Sequence, residues 1–146
     1  ELVTDYNAVE VTTVNIRLHE TISHTGFLID ILCWNRDGHV AIDGADLDSN
    51  PEFHSIKCMR DVEVCREDGH GILELSDDSC SYELAYSFDD VGNQLALDYV
   101  DSTDTIDNVI VTVTGERDSD GIMYVETLIE EDYEVHEGYL VDLWCW

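Results

Sequence analysis

The sequence predicts an all-β domain, an antiparallel β-sandwich of eight to nine short strands, jelly-roll-like in arrangement. Three observations predict it. Apolar and polar residues alternate with a period of two in many short segments. Clusters of Asp, Gly, Asn and Ser separate those segments. No long stretch carries a clear amphipathic helical stripe.

In chain order, Val9, Val11, Val14, Ile16 and Leu18 alternate with polar residues, and the phase slips at Thr12-Thr13, as at a bulge. The segment 27–34 is almost continuously apolar and predicts a strand buried on both faces. Val62 and Val64 alternate with Asp61 and Glu63. Tyr82, Leu84, Tyr86 and Phe88 alternate in the same way, as do Leu95, Leu97 and Tyr99. Segment 109–113 is β-branched, and segments 122–129 and 139–144 complete the set. The turns fall at Arg36-Asp37-Gly38, Asp43-Gly44, Asp77-Asp78, Asp89-Asp90 with Gly92-Asn93, and 118–121.

The 146 residues fit one domain spanning 1–146 that buries its own core. The single proline, Pro51, lies in the acidic loop 43–52, and no linker composition or internal repeat divides the chain. No apolar run approaches the ~20 residues that span a bilayer. The first residue is Glu1 rather than Met, which suggests a processed N-terminus and a secreted, extracellular location.

Charge narrows the partners. Thirty-four acidic residues face six basic ones, Arg17, Arg36, Lys57, Arg60, Arg66 and Arg117, for a net charge of −28. Such a field repels phosphate backbones, so nucleic acid is excluded as a partner. Acidity of this kind serves solubility at high ionic strength or the capture of divalent cations. Asp43, Asp46, Asp48 and Asn50 lie close together in one loop and are the candidate Ca²⁺ ligands. The six histidines form no HExxH motif and no tight cluster, so they are expected at the surface or on strand edges. Zinc or copper binding would require folding to gather several of them.

The cysteines are Cys33, Cys58, Cys65, Cys80 and Cys145, with no CxxC pair among them. An oxidising compartment would pair four of the five and leave one thiol. Cys145, between Trp144 and Trp146, is the candidate free thiol or intermolecular link, and pairing within the chain is the alternative. No GxSxG motif occurs, and carboxylates are too numerous for any pair to indicate catalysis.

One arrangement resembles a family. Cys58-Met59-Arg60-Asp61-Val62-Glu63-Val64-Cys65 is a C-x6-C segment, followed by Cys80-Ser81-Tyr82 and preceded by Val14 to Leu18 and the segment carrying Cys33. This order resembles the N-terminal C2-like module of Notch ligands of the Delta and Jagged type, over about residues 9–115. The resemblance implies an eight-stranded, C2-like sandwich without enzymatic activity, and disulfides at Cys33, Cys58, Cys65 and Cys80. The chain departs from the family in its acidity and in having Arg60-Asp61 where an aromatic pair is common.

The functional expectation is therefore a non-enzymatic, secreted structural or adhesive protein, or a filament subunit. It would act through self-association or contact with another extracellular protein. Its terminal strands would engage neighbouring subunits, with Trp144 and Trp146 as anchors. The alternative is a soluble C2-like module that binds a receptor or a ligand, with Ca²⁺ as the candidate cofactor.

Overall fold

The apolar segment beginning at Phe27 forms the end of the first strand, β1 (Thr21–Asp30), where Leu28 and Ile29 are both fully buried on opposite faces. In this computed structural model, residues 20–77 and 80–131 are described. Asp30 then ends the strand and caps a single turn, α1 (Ile31–Trp34), by accepting a hydrogen bond from the Cys33 amide. Two further short helices follow, α2 (Ile56–Asp61) and α3 (Glu63–Glu67), separated by the extended residue Val62. The chain continues through β2 (His70–Leu75), β3 (Tyr82–Phe88), the long helix α4 (Asp90–Ser102), β4 (Ile110–Arg117) and β5 (Ile122–Glu130).

Sheet dominates, as the sequence predicts, but the architecture differs from a sandwich of eight or nine strands. Among the described residues, five strands close into a mixed barrel in the order β1-β2-β3-β5-β4. All pairings are antiparallel except the short parallel contact of β3 with β5 at Ser87↔Ile122 and Phe88↔Met123. β1 closes the barrel by changing partner along its length. Its segment from Thr21 to Phe27 pairs with β4, and its segment from Phe27 to Asp30 pairs with β2. The change of partner brings backbones together at Gly26, where an added Cβ would lie 2.0 Å from the Leu73 carbonyl oxygen.

Three expected strands have a different fate. Phe27–Trp34 is a strand only as far as Asp30, because the Asp30 cap starts a helical turn there. Val62 and Val64 lie at the start of α3, and the buried residue of that helix is Cys65 rather than either valine. Leu95, Leu97 and Tyr99 lie in α4, where the buried positions are Gly92, Ala96 and Val100, a spacing of four. Asp89 starts that helix by accepting a hydrogen bond from the Gly92 amide at 3.0 Å. The expected strands at 9–18 and 139–144 lie outside the described residues.

Two cores result. One joins Leu28, Ile72, Val111, Val113, Met123 and Val125 of the barrel to Ala96 and Val100 of α4. The other lies on the opposite face of β1 and β2, where Ile29 and Leu73 pack against Cys33, Cys58, Cys65 and Leu47. The short helices thus form a cap on the outside of the barrel. No helix among the described residues is long and apolar enough to cross a membrane.

Candidate metal centre

Three thiols meet in the second core. The Asp30 cap fixes Cys33 on α1, with Asp30 Oδ2 accepting from the Cys33 amide at 3.0 Å. Ser55 caps α2 in the same way, its Oγ accepting from the Cys58 amide at 3.1 Å. Cys65 is the buried residue of α3, and Arg66 beside it holds that helix to α4 through two bonds to Asp101, at 2.7 and 3.0 Å. All three sulfurs lie within 4.8 Å of one another. Cys33 Sγ and Cys65 Sγ are 3.9 Å apart.

All three cysteines are free and buried. The expectation of disulfides at Cys33, Cys58 and Cys65 is corrected here: the three converge as thiols, brought together from three separate helices. Cys80 is disulfide-bonded. Cys145, Trp144 and Trp146 lie outside the described residues.

A buried charged group adjoins the thiols. His54 Nε2 stands 2.8 Å from Asp30 Oδ1, and Nδ1 stands 3.0 Å from Asp43 Oδ2. A carboxylate only accepts, so both ring nitrogens donate and His54 is an imidazolium. Burial alone would push its pKa down. The hydrogen bonds and charges of Asp30 and Asp43 prevail and raise it to about 9. Burial likewise works against charge on Asp30 and Asp43, and His54 outweighs it and holds both carboxyls below their ordinary range. Asp43 Oδ2 also accepts from the Ser55 amide at 2.8 Å and from Ser55 Oγ at 3.1 Å.

The thiols are strongly differentiated. The neighbouring Cys58 thiol raises the Cys33 pKa, and Cys33 in turn lowers that of Cys58 to about 7. Burial pushes Cys65 up to about 12. Mixed donor sets also converge within 4.8 Å: Asp30, Cys33 and His54 form one, and Asp43, His54 and Cys58 the other.

His70 opens β2, directly opposite Asp30 in the register of β1 and β2. It is fully buried, and neither of its ring nitrogens has a hydrogen-bond partner. Burial lowers its pKa to about 4 and keeps the imidazole neutral. The expectation that the histidines lie at the surface or on strand edges is therefore corrected for His54 and His70, which are 1% and 0% exposed.

The four candidate Ca²⁺ ligands go separate ways. Asp43 turns inward to His54. Asn50 donates to Glu52 Oε1 at 3.3 Å. Among the described residues, no convergent set of three donors includes Asp46 or Asp48.

No protein-family model, no curated protein and no solved structure matches this chain.

Two signals for this site were present in the sequence. Asp30 and Ser55 each stand three residues before a cysteine, where a capping side chain fixes the first helical turn. Cys58 and Cys65 lie within eight residues. The absence of a CxxC pair hid the pattern, because each thiol comes from a different element.

Proposed function

We propose that this chain is a non-enzymatic domain that binds one divalent metal ion, Zn²⁺, through Cys33, Cys58 and Cys65. The observation that carries the reading is the convergence of three free, buried sulfurs within 4.8 Å of one another. Thiolates are soft ligands and favour zinc over calcium or magnesium. An ion held there would tie α1, α2 and α3 together and fasten the cap to β1 and β2. Each of these helices is only 4 to 6 residues long and would not be stable alone.

A nucleophilic cysteine is the competing use of such a site. It needs an imidazole nitrogen available to take the thiol proton. His54 shares a convergent set with Cys58, but both its nitrogens are engaged by carboxylates. Metal binding therefore accounts better for the arrangement. A domain clamped in this way serves to present a surface, and its acidity suits a cationic or salt-rich setting.

The test is metal content. Protein purified without chelator and under reducing conditions is expected to carry one zinc per chain. Cys58→Ser and Cys65→Ser are expected to lose it. Protein that is isolated metal-free and shows no thiolate-to-cobalt charge transfer on Co²⁺ addition would refute the reading.

A further inference from the structure

We infer that the thiol centre is redox-sensitive: a hydroperoxide joins Cys33 and Cys65 in a disulfide and so expels the metal; the release of metal rests on the three-thiol reading above. Cys33 Sγ and Cys65 Sγ stand 3.9 Å apart, in hydrogen-bonding contact. Two sulfurs bound to one tetrahedral zinc at ~2.3 Å are held about 3.8 Å apart, so the spacing suits an ion. It equally suits a bond, for which the two sulfurs must close to about 2.05 Å. The same pair can therefore be bridged by zinc or joined directly, and the two states exclude each other. Joined directly, the pair leaves Cys58 as the last thiol of the three, too few to hold a structural ion.

The surroundings favour such an exchange. Cys80 is disulfide-bonded, so the chain meets conditions that oxidise thiols. Cys33, Cys58 and Cys65 nevertheless stay reduced, and burial together with a metal is what would protect them. Cys33 is fixed from two sides. Its amide donates to Asp30 Oδ2 at 3.0 Å, and its Sγ accepts from the Ile42 amide at 3.4 Å. Cys65 lies on α3, which has five residues and follows the extended Val62. The tie from α3 to α4 runs through the Arg66 and Asp101 side chains at the surface. α3 is thus the element that can shift to close the gap.

The chemistry needs only the peroxide. One thiol takes an oxygen as the O–O bond breaks, giving a sulfenic acid and one water. The other sulfur attacks that sulfenic sulfur, the S–O bond breaks, the S–S bond forms and a second water leaves. Two electrons and the two thiol hydrogens pass to the peroxide. From metal-bound thiolates, the two protons come from solvent.

The test treats the full chain with hydrogen peroxide, blocks the remaining thiols in denaturant and maps the cysteines by peptide mass spectrometry. A linked Cys33–Cys65 peptide is expected, with Cys58 blocked as a thiol and Cys80 bridged as before. In zinc-loaded protein, an indicator dye is expected to read one zinc released per linkage formed. Cys58→Ser keeps the pair, and as metal-free protein it is expected to form the same linkage. Oxidation of single sulfurs to sulfinic acid without linkage, a linkage through Cys58 in the parent, or linked chains that keep their zinc would overturn the inference. Absence of Co²⁺ charge transfer in the unsubstituted protein would instead defeat the three-thiol reading, and the release step with it.

Discussion

His54 donates from Nε2 to Asp30 Oδ1 at 2.8 Å, and neither side chain meets solvent. The pair joins the end of β1 to the residue that precedes the capped start of α2, and so couples barrel to cap. Removing one partner leaves the other charged and buried, which typically costs about 3–5 kcal/mol. His54→Ala and Asp30→Asn are each expected to destabilise the chelator-treated protein by that order in urea denaturation. The double variant is expected to lose clearly less than the two single losses combined. Strict additivity would show that the two groups are not energetically coupled.

The same pair gives stability a pH dependence. The His54 pKa is raised from 6.5 to about 9 on folding. A raised folded value contributes stability that is fully present below about pH 6.5 and is lost as pH rises toward 9. A shift of that size corresponds to about 3 kcal/mol. Asp30 from β1, Asp43 from the following loop, Cys58 from α2 and His70 from β2 all act on or near this ring. The measurement must therefore be a difference. Urea midpoints of the parent and His54→Gln, both chelator-treated, are expected to converge as pH rises from 6.5 to 9. A gap that does not change with pH would contradict the assigned imidazolium.

Charge elsewhere on the molecule predicts the response to salt. Lys57, Arg60, Arg66 and Arg117 already stand beside carboxylates, at Asp61, Asp61, Asp101 and Glu20 respectively. Most of the 34 acidic residues therefore have no cation to offset them. Screening should relieve more repulsion than it removes attraction, because exposed pairs are worth only about 0.2–1 kcal/mol each. The melting temperature is expected to rise between about 0.1 and 1 M KCl, where the Debye length falls from about 10 to 3 Å. A flat or falling melting temperature would contradict this balance.

Legibility in the sequence followed how local each signal was. Tyr82 to Phe88 alternates in sequence and forms β3, and the β-branched segment at 109–113 and the apolar segment from Ile122 mark β4 and β5. Leu95, Leu97 and Tyr99 misled because an apolar residue at every second position also fits one side of a helix. The decisive features were the Asp89 cap and the small Gly92 and Ala96, which let α4 pack closely. At Gly92 an added Cβ would lie 2.6 Å from Val125 Cγ2. β2 escaped notice because it is short and all but continuously buried from His70 to Leu73. The thiol cluster was illegible for a different reason. Its members sit at positions 33, 58 and 65, and only the tertiary fold decides whether such cysteines meet as thiols or as a disulfide.

The β1–β2 junction of the barrel depends on a glycine. At Gly26 the β1 and β2 backbones approach so closely that a methyl group would strike the Leu73 carbonyl oxygen at 2.0 Å. Backbone cannot swing aside as a side chain can. Gly26→Ala is expected to cost at least the 1–3 kcal/mol typical of overpacking, about the upper end of that range. Because Asp30, which caps Cys33, lies at the end of the same strand pairing, metal affinity should fall with it. A Gly26→Ala protein with unchanged urea midpoint would show that β1 and β2 separate more readily than this register implies.

Zinc and folding should be linked through the three cysteines. The ligands come from α1, α2 and α3, so the site exists only when the cap is folded, and an ion bound there stabilises the folded state by mass action. At free zinc about 100 times the dissociation constant, the gain is about 2.7 kcal/mol. Thermal unfolding is expected to move upward with zinc in the parent and to be unmoved in Cys58→Ser, while Mg²⁺ shifts neither. Proton release should accompany binding, because thiols must ionise to coordinate. Cys65, held protonated by burial, and Cys33, raised by the neighbouring Cys58 thiol, should release theirs when zinc binds near neutral pH. Calorimetry in buffers of different ionisation enthalpy counts those protons. Release of fewer than two per zinc near pH 7 would mean that Cys33 and Cys65 do not both ligate as thiolates.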